Sequence, residues 1–311
     1  MTQDIAELLM YVAPEPIRQA NERWLSRIHE RLGATRRSAE GLSLMALWLS
    51  PNLLMTQTCG YPLMTQLRGK VRILGRPRYE LPDSSGGNHC SLLLCRANDL
   101  RKSLPALRGS RGVINGEDSN SGMNLLRYCL APLHRDGQFF SRVGISGSHR
   151  ESLRWLREDQ ADLAAIDSVT FAYLARYAQA EVAGLRVIAR SAFSPTLPYI
   201  TAATVTDNQA ETLRQVMNET LQQLPEFGEV LGLQEVLPAT ERDYRIVLDY
   251  QSEAENLGFG RLRLGPECCV DRTVYRGQAT LPQDFAGPVG AWLARDSDLS
   301  GITDPCLPYG I

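Results

Sequence analysis

The sequence predicts an α/β protein built around a parallel sheet. Between Gly112 and Val169, a short apolar strand runs three times into a small polar cluster and then into an amphipathic helix. Strands that each lead into a helix imply parallel pairing, because parallel strands need a crossover connection. At 311 residues the chain is long for one ordinary core, so we expect two lobes.

The three units share the order strand, polar cluster, helix. They comprise, in turn, a strand at 112–115 with a cluster at 118–122, a strand at 142–145 with a cluster at 146–149, and a strand at 162–166 with a cluster at 167–168. In a parallel sheet the strand ends and helix starts meet at one edge, where ligands bind. Helix N-termini present unpaired N–H groups and partial positive charge. Three of them, carrying hydroxyl side chains, predict an anion receptor.

Apolar periodicity predicts further elements on either side of these units. Strands are expected at 10–12, 53–56, 71–74, 89–96, 185–189 and 199–205, and helices at 14–32, 39–49, 60–67, 211–223 and 239–255. The turn-rich loop 83–88 precedes the strand that carries the chain into a second lobe. We therefore assign 1–88 and 202–265 to lobe 1, and 89–201 to lobe 2. Residues 266–311, with a hint of a helix at 287–294, form a C-terminal tail without an assigned role.

Composition excludes several classes of partner. A charged fraction of 22% is typical of a soluble globular protein, and a net charge of -2 argues against nucleic-acid binding. No apolar run is long enough to span a bilayer, and the chain lacks the pattern of a secretory leader. It is therefore expected in the cytoplasm, unless a leader was removed. Seven cysteines without a C-x-x-C pair indicate free thiols, and we expect no metal site and no cofactor.

The cluster from Ser119 through Asn120 and Ser121 to Gly122 is a candidate anion site. Ser and Asn side chains either accept hydrogen bonds from first-turn N–H groups or donate to a ligand. Gly122 lets the backbone approach closely. A plain N-terminal cap explains the same residues, because such clusters mark most helix starts. No phosphate-loop motif or dinucleotide fingerprint is present, which disfavours ATP hydrolysis and dinucleotide binding.

Two further helix starts carry candidate polar groups. Ser148 and Glu151 match a capping box, which explains both residues without a ligand. The capping box does not explain His149, which either donates a hydrogen bond to an anion or is a solvent-exposed ring. Asp167, followed by Ser168, is either a helix cap or a carboxylate in the cleft. Such a carboxylate accepts a hydrogen bond from a protonated phosphoryl group or pairs with a ligand amine. It repels a fully ionised sulfate, and so confers selectivity.

The first lobe offers Cys59 and two tyrosines. Cys59 lies at a strand-to-helix turn, either as a structural thiol or as a nucleophile with His149 as its base. The full geometric set for covalent catalysis is lacking, which favours the structural interpretation. Tyr11 and Tyr61 are interpreted as cleft walls or core-edge residues.

These residues together resemble a known family. The stretches that carry the resemblance are 56–63 (TQTCGYPL), 107–109 with 115–122, and 147–149 with 161–167. In order and spacing, over residues 10–265, they resemble the phosphate/phosphite/phosphonate substrate-binding proteins of ABC transporters. That family has a type II periplasmic-binding fold.

The resemblance implies two α/β lobes joined by crossing strands, with a ligand cleft at the hinge. It implies that Ser119, Asn120 and Ser121 hold phosphoryl oxygens, and that His149 and Asp167 complete the site. Tyr11 and Tyr61 would face the ligand from the first lobe. It also implies an ABC permease as partner and a periplasmic location.

We therefore predict a protein that binds phosphate, phosphite or a phosphonate by hinge closure. The sequence leaves the choice among these ligands open. The rival interpretations are an enzyme on the same fold that uses Cys59 or His149, and a cytoplasmic ligand sensor.

Overall fold

The computed structural model describes residues 4–265, which form three β-sheets and flanking helices. The strands are β1 (Ile5–Glu7), β2 (Leu53–Gln57), β3 (Val71–Tyr79), β4 (Ser84–Ser85), β5 (Asn88–His89), β6 (Ser91–Arg96), β7 (Arg111–Ile114), β8 (Arg142–Ile145), β9 (Leu163–Asp167), β10 (Leu185–Arg190), β11 (Ser194–Pro195), β12 (Tyr199–Ala202) and β13 (Leu233–Leu237). The α-helices are α1 (Glu15–Leu32), α2 (Leu44–Trp48), α3 (Gly60–Thr65), α4 (Leu125–Leu130), α5 (His149–Arg157), α6 (Ser168–Tyr177), α7 (Asp207–Gln223), α8 (Pro225–Leu231) and α9 (Ile246–Asn256). A π-helical turn (Asn120–Asn124) precedes α4, and short 3-10 turns lie at Pro105–Leu107, Ala131–Leu133 and Gln179–Glu181.

The first sheet has the strand order β1-β2-β12-β3-β13. β1 runs parallel to β2, whereas β12 runs antiparallel to both β2 and β3. Helices α1 and α7 cover this sheet with their apolar faces. Trp24 of α1 is completely buried and donates its indole N–H to Thr220 of α7 at 2.9 Å. Trp24 therefore belongs to the core of the first sheet.

The second sheet has the order β10-β6-β9-β7-β8 and contains all three predicted strand-to-helix units. β7 pairs in parallel with β8 on one side and with β9 on the other. The carboxyl ends of these strands therefore open onto one edge, where the π-helical turn, α5 and α6 begin. The predicted α/β class and the parallel arrangement are confirmed. β6 and β10 complete the sheet in antiparallel pairings.

A small third sheet, with the order β11-β5-β4, lies in the chain segments between the two larger sheets. Its middle strand pairs His89 with Ser84 on one side and with Ser194 on the other. Sequence periodicity merged β5 and β6 into one strand at 89–96. The structure separates them at Cys90, whose carbonyl accepts the Ser168 N–H instead of a ladder bond.

Three predicted elements are wrong in position. The strand expected at 10–12 lies at Ile5–Glu7. Tyr11 lies in a bend, and its carbonyl accepts a hydrogen bond from the Asn21 side chain. The helix expected at 39–49 covers only Leu44–Trp48, because Gly41 has a left-handed φ of 81° and Ser43 caps the later start.

The third misplaced element is the helix expected at 239–255. It begins at Ile246, because the Asp243 carboxylate accepts the Thr240 N–H and holds the preceding segment in turns. The structure also contains α8 and β13, which periodicity did not predict.

The predicted lobe boundaries stay a prediction. β12 belongs to the first sheet and ends at Ala202. The next first-sheet strand along the chain is β13. From α9 and the residues after it, Ala254 and Phe259 pack in the core of the second sheet. The helix expected at 287–294 and the whole tail 266–311 lie outside the described residues. Within residues 4–265, no helix combines the length and the apolar character that crossing a bilayer requires.

Candidate functional site

The polar turn after β7 folds as a π-helical turn and not as ordinary α-helix. Its cap, Ser119, accepts the Gly122 N–H at 2.9 Å through its hydroxyl. The Asn124 N–H reaches back to the Ser119 carbonyl at 3.0 Å, which is the wide i→i+5 bond of a π-turn. The cap predicted for this cluster is therefore present. Wide turns of this kind occur often at functional sites.

Gly122 is at a point of close approach. A Cβ at this position would lie 1.8 Å from Asn115 Oδ1 and 3.2 Å from His149 Cε1. Only glycine leaves room for the Asn115 side chain and the His149 ring at this distance.

Asn120 and Ser121 are buried and fixed by several elements. The Asn120 amide donates to Ser194 Oγ of β11 at 2.9 Å, and its backbone N–H points to Cys59 Sγ at 3.2 Å. Ser121 Oγ lies 2.9 Å from His149 Nε2, and the Ser121 carbonyl accepts from Ser91 Oγ. The turn therefore touches both helix α5 and the third sheet.

His149 is the first residue of α5, directly after its cap. Ser148 Oγ accepts the Glu151 N–H at 3.1 Å, as predicted for a cap. The ring is partly exposed as a whole, but its Nδ1 is enclosed and has no hydrogen-bond partner in the described part of the chain. Burial lowers the pKa of His149 from 6.5 to about 4, against an opposing effect of Asp167. The ring is therefore neutral at neutral pH, and Nε2, which contacts Ser121 Oγ, is the nitrogen that it offers to a ligand.

Asp167 ends β9 and caps α6. Its Oδ1 accepts the Thr170 N–H at 3.0 Å, which confirms the predicted capping role. The Tyr11 hydroxyl lies 3.3 Å from both carboxylate oxygens, and His89 Nδ1 lies 2.9 Å from Oδ2. The carboxylate thus contacts Tyr11 in the bend between β1 and α1, His89 of the third sheet, and the first turn of helix α6.

The charge state of Asp167 follows from these neighbours. Burial acts to raise its pKa, but the positive potential and hydrogen bonding of His89, with a smaller effect of His149, bring the pKa below its ordinary value. Asp167 is therefore ionised at neutral pH. Burial and the nearby Asp167 raise the pKa of Tyr11 well above 10, so its hydroxyl keeps the proton and donates.

Tyr61 and Ser168 are engaged by protein groups. The Tyr61 hydroxyl donates to Gln251 of α9 at 2.9 Å, and its ring packs at the edge of the second core. Ser168, the first residue of α6, donates its hydroxyl to the Asp83 carbonyl at 3.1 Å. The structure brings Tyr11, Ser121, His149 and Asp167 into one cluster by direct contacts or electrostatic coupling. Neither Tyr61 nor Ser168 has a recorded side-chain contact to them.

Cys59 caps α3 beside the π-helical turn. Burial raises the pKa of its thiol to about 11, so the sulfur stays protonated at neutral pH. A protonated thiol is a poor nucleophile. The Cys59 sulfur accepts the Asn120 N–H at 3.2 Å, which fits the structural interpretation.

Sequence reasoning missed His89 and Ser194. Both lie on two-residue strands of the third sheet, which are too short to give a periodic signal. The one signal in the sequence is the position of His89 directly after the loop 83–88, which by itself predicts only the start of a strand. Within residues 4–265, no group of three or more His, Cys, Asp or Glu side chains is arranged to hold a metal ion.

The cluster combines hydroxyls, an amide and a neutral imidazole at the start of two helices. Such neutral donors at helix N-termini bind oxyanions. The buried carboxylate beside them distinguishes anions by their protonation or by an attached amine.

Comparison with protein families agrees with this chemistry. A family model described as the periplasmic substrate-binding protein of phosphonate ABC transporters matches residues 52–244, which is more than half of the chain. The chain belongs to this family. The predicted family is thereby confirmed, and phosphonate-binding family members are components of transporters. No curated protein matches the chain.

Solved structures share the fold of this phosphonate-binding family member. A binding-protein component of an ABC phosphonate transporter from Pseudomonas aeruginosa is 14% identical, with a TM-score of 0.69 over 86% of this chain and 92% of that one. PhnD1 from Prochlorococcus marinus, in complex with methylphosphonate, is 11% identical, with a TM-score of 0.63 over 82% and 98%. A Xanthomonas citri protein bound to ATP is 13% identical, with a TM-score of 0.58 over 83% and 98%. The predicted two-lobed periplasmic-binding fold is confirmed.

Proposed function

We propose that this protein binds a small phosphorus oxyanion as the substrate-binding component of an ABC transporter. The observation that carries the proposal is the contact of Ser121 with a neutral His149 at a helix start, next to the buried carboxylate of Asp167. Neutral donors bind the oxygens, and the carboxylate selects among anions. The family and the complex of PhnD1 with methylphosphonate support a phosphorus oxyanion.

Each site residue has a proposed role. Ser121 and His149 exchange their mutual hydrogen bond for bonds to phosphoryl oxygens, and the hydroxyl of Ser119 and amide of Asn120 add donors at the same turn. Gly122 keeps this turn open to the ligand. Each bond to the charged oxygens contributes about 1.5–3 kcal/mol.

The remaining residues complete the cleft. Tyr11 and Tyr61 form its walls from the first lobe, and Asp167 with Ser168 closes it at the start of α6. Closure brings the two lobes together about the third sheet, whose strands lie in the chain segments between the two larger sheets. The division of the chain into lobes at 88/89 and near residue 202 is part of this proposal.

We propose a periplasmic location and an ABC permease partner on the basis of family membership. The protein acts by binding, without an enzymatic step. A buried thiol that stays protonated and a histidine already engaged by Ser121 support this assignment over catalysis by Cys59.

Calorimetric titration with methylphosphonate, phosphite and phosphate tests the proposal. At least one of them binds the wild-type chain, and Ser121→Ala weakens that binding by about ten- to hundredfold, the loss of one charge-assisted bond. Ser141→Ala is the matched control, since the Ser141 hydroxyl donates only to the Ser110 carbonyl away from the site. Absence of binding of all three anions overturns the proposal.

Cys59→Ala separates binding from catalysis. A binding protein keeps its affinity for the anion in this variant, apart from a small change in local packing. If a substrate were turned over and that turnover vanished in Cys59→Ala, the enzyme interpretation would be correct instead.

A further inference from the structure

His89 faces the site from the third sheet. It pairs with Ser194 across β5 and β11, and cross-strand partners place their side chains on the same face of a sheet. The Ser194 hydroxyl accepts from the Asn120 amide, so this face looks toward the π-helical turn. His89 is only 1% exposed, and both of its ring nitrogens are enclosed without a hydrogen bond among residues 4–265.

The carboxylate of Asp167 is buried and enclosed by protein groups. Oδ1 faces the Thr170 N–H and the Tyr11 hydroxyl, and Oδ2 faces the same hydroxyl and His89 Nδ1. Three groups thus enclose a residue that is 2% exposed, with the single Tyr11 hydroxyl shared between the two oxygens. His89 Nδ1, 2.9 Å from Oδ2, covers this oxygen from the side of the third sheet.

A ligand ammonium group needs a carboxylate with an open acceptor position. At Asp167, such a position on Oδ2 becomes accessible only when His89, 2.9 Å away, is displaced. Asp118, which directly precedes the cap Ser119, is exposed and gives a weak, solvent-screened attraction. An alkylphosphonate has no ammonium group and therefore needs no carboxylate partner.

We propose that His89 is a specificity-determining residue, because it occupies Asp167 and thereby selects phosphorus oxyanions without an ammonium group over aminoalkylphosphonates. This inference rests on the proposed binding of phosphorus oxyanions. It adds His89, which lies outside the helix starts, to the proposed binding site. It also restricts the proposed substrates to inorganic phosphate, phosphite and alkylphosphonates without an amine.

The test is a calorimetric comparison of ethylphosphonate with 2-aminoethylphosphonate, which differ only by the amine. The wild type binds ethylphosphonate more tightly. His89→Ala frees an acceptor position on Asp167 and shifts the affinity ratio toward the amine by about tenfold or more, the value of one charge-assisted bond. The double variant His89→Ala/Asp167→Asn loses this shift.

His89→Asn provides the conservative control, because its amide places an N–H donor close to the position of Nδ1. It keeps the wild-type preference, whereas a general loosening of the third sheet would change both variants alike. A wild type that prefers 2-aminoethylphosphonate overturns the inference, even if His89→Ala does not fold. An unchanged ratio in folded His89→Ala also overturns it. Failure of the wild type to bind any phosphorus oxyanion instead refutes the proposed function.

Discussion

Gly122 is the residue with the least steric freedom in the site. We predict that Gly122→Ala destabilises the chain by about 1–3 kcal/mol, the usual cost of overpacking, since its Cβ would collide with Asn115. The same substitution displaces the π-helical turn and the His149 ring, so methylphosphonate affinity falls as well. Chemical denaturation and calorimetry measure the two effects.

Gly60→Ala is the matched control for this prediction. Its Cβ would lie 3.4 Å from atoms of Tyr244 and Val247, an ordinary contact, and Gly60 is also at a helix start. Its free energy of unfolding should change by less than about 1 kcal/mol, the range of the glycine-to-alanine helix preference. Equal losses in both variants would contradict a specific requirement for glycine at 122.

His149 makes stability depend on pH in a defined window. Its pKa is about 4 in the folded chain and 6.5 ordinarily, so between these values the unfolded chain binds more protons. The free energy of unfolding therefore falls as pH drops from 6.5 to 4, by at most about 1.4 kcal/mol per pH unit from this residue. Urea denaturation of wild type and His149→Gln should give converging stabilities as pH falls. Parallel curves would contradict a buried neutral ring.

The sequence identified the residues that stand at helix starts and missed those on the shortest strands. Ser121, His149 and Asp167 each follow a clear apolar strand, which is why their convergence was predictable. His89 contacts Asp167 from a two-residue strand, where neither periodicity nor a motif marks it. Its contact depends on tertiary packing and not on local pattern.

Helix α5 begins at a cap that serves stability. We predict that Ser148→Ala lowers the free energy of unfolding by about 1 kcal/mol, because the Glu151 N–H loses its acceptor. Ser26→Ala is the control, since this exposed hydroxyl donates to the Glu22 carbonyl within α1. Urea denaturation of the two variants measures the difference. Equal stability of the two variants would show that the cap contributes nothing.

Elements with strong local signals were predicted closely, and those shaped by turns were not. β8 was predicted with its observed bounds, and α5 and α6 start at or next to the expected residues. The segment around Tyr11 was predicted as a strand because it is apolar. In the structure it bends so that Tyr11 reaches Asp167, a contact across 156 residues that no local pattern encodes.

At the scale of the whole molecule, the proposal requires the lobes to close on the ligand. Small-angle scattering of the full chain should give a smaller radius of gyration with saturating methylphosphonate than without it. The Ser121→Ala variant, titrated to the same ligand concentration, provides a matched sample with lower occupancy. Identical scattering with and without bound ligand would contradict hinge closure.

The α/β class and the parallel strands of the second sheet followed from the repeated strand-to-helix order. The antiparallel strands β12 and β13 in the first sheet and the separate third sheet did not. The pairings of β3 with β12 and β13, and of β5 with β11, join segments more than 100 residues apart. Such register depends on how the lobes assemble and leaves little trace in local periodicity.

We infer that the cluster at the carboxyl edge of the second sheet binds a phosphorus oxyanion. A crystal structure of the chain with methylphosphonate tests it most directly. We expect the phosphonate oxygens within hydrogen-bond distance of Ser121 Oγ and His149 Nε2, with Asp167 still paired to His89. A phosphonate bound elsewhere, with the contact between Ser121 and His149 unchanged, would contradict the assignment.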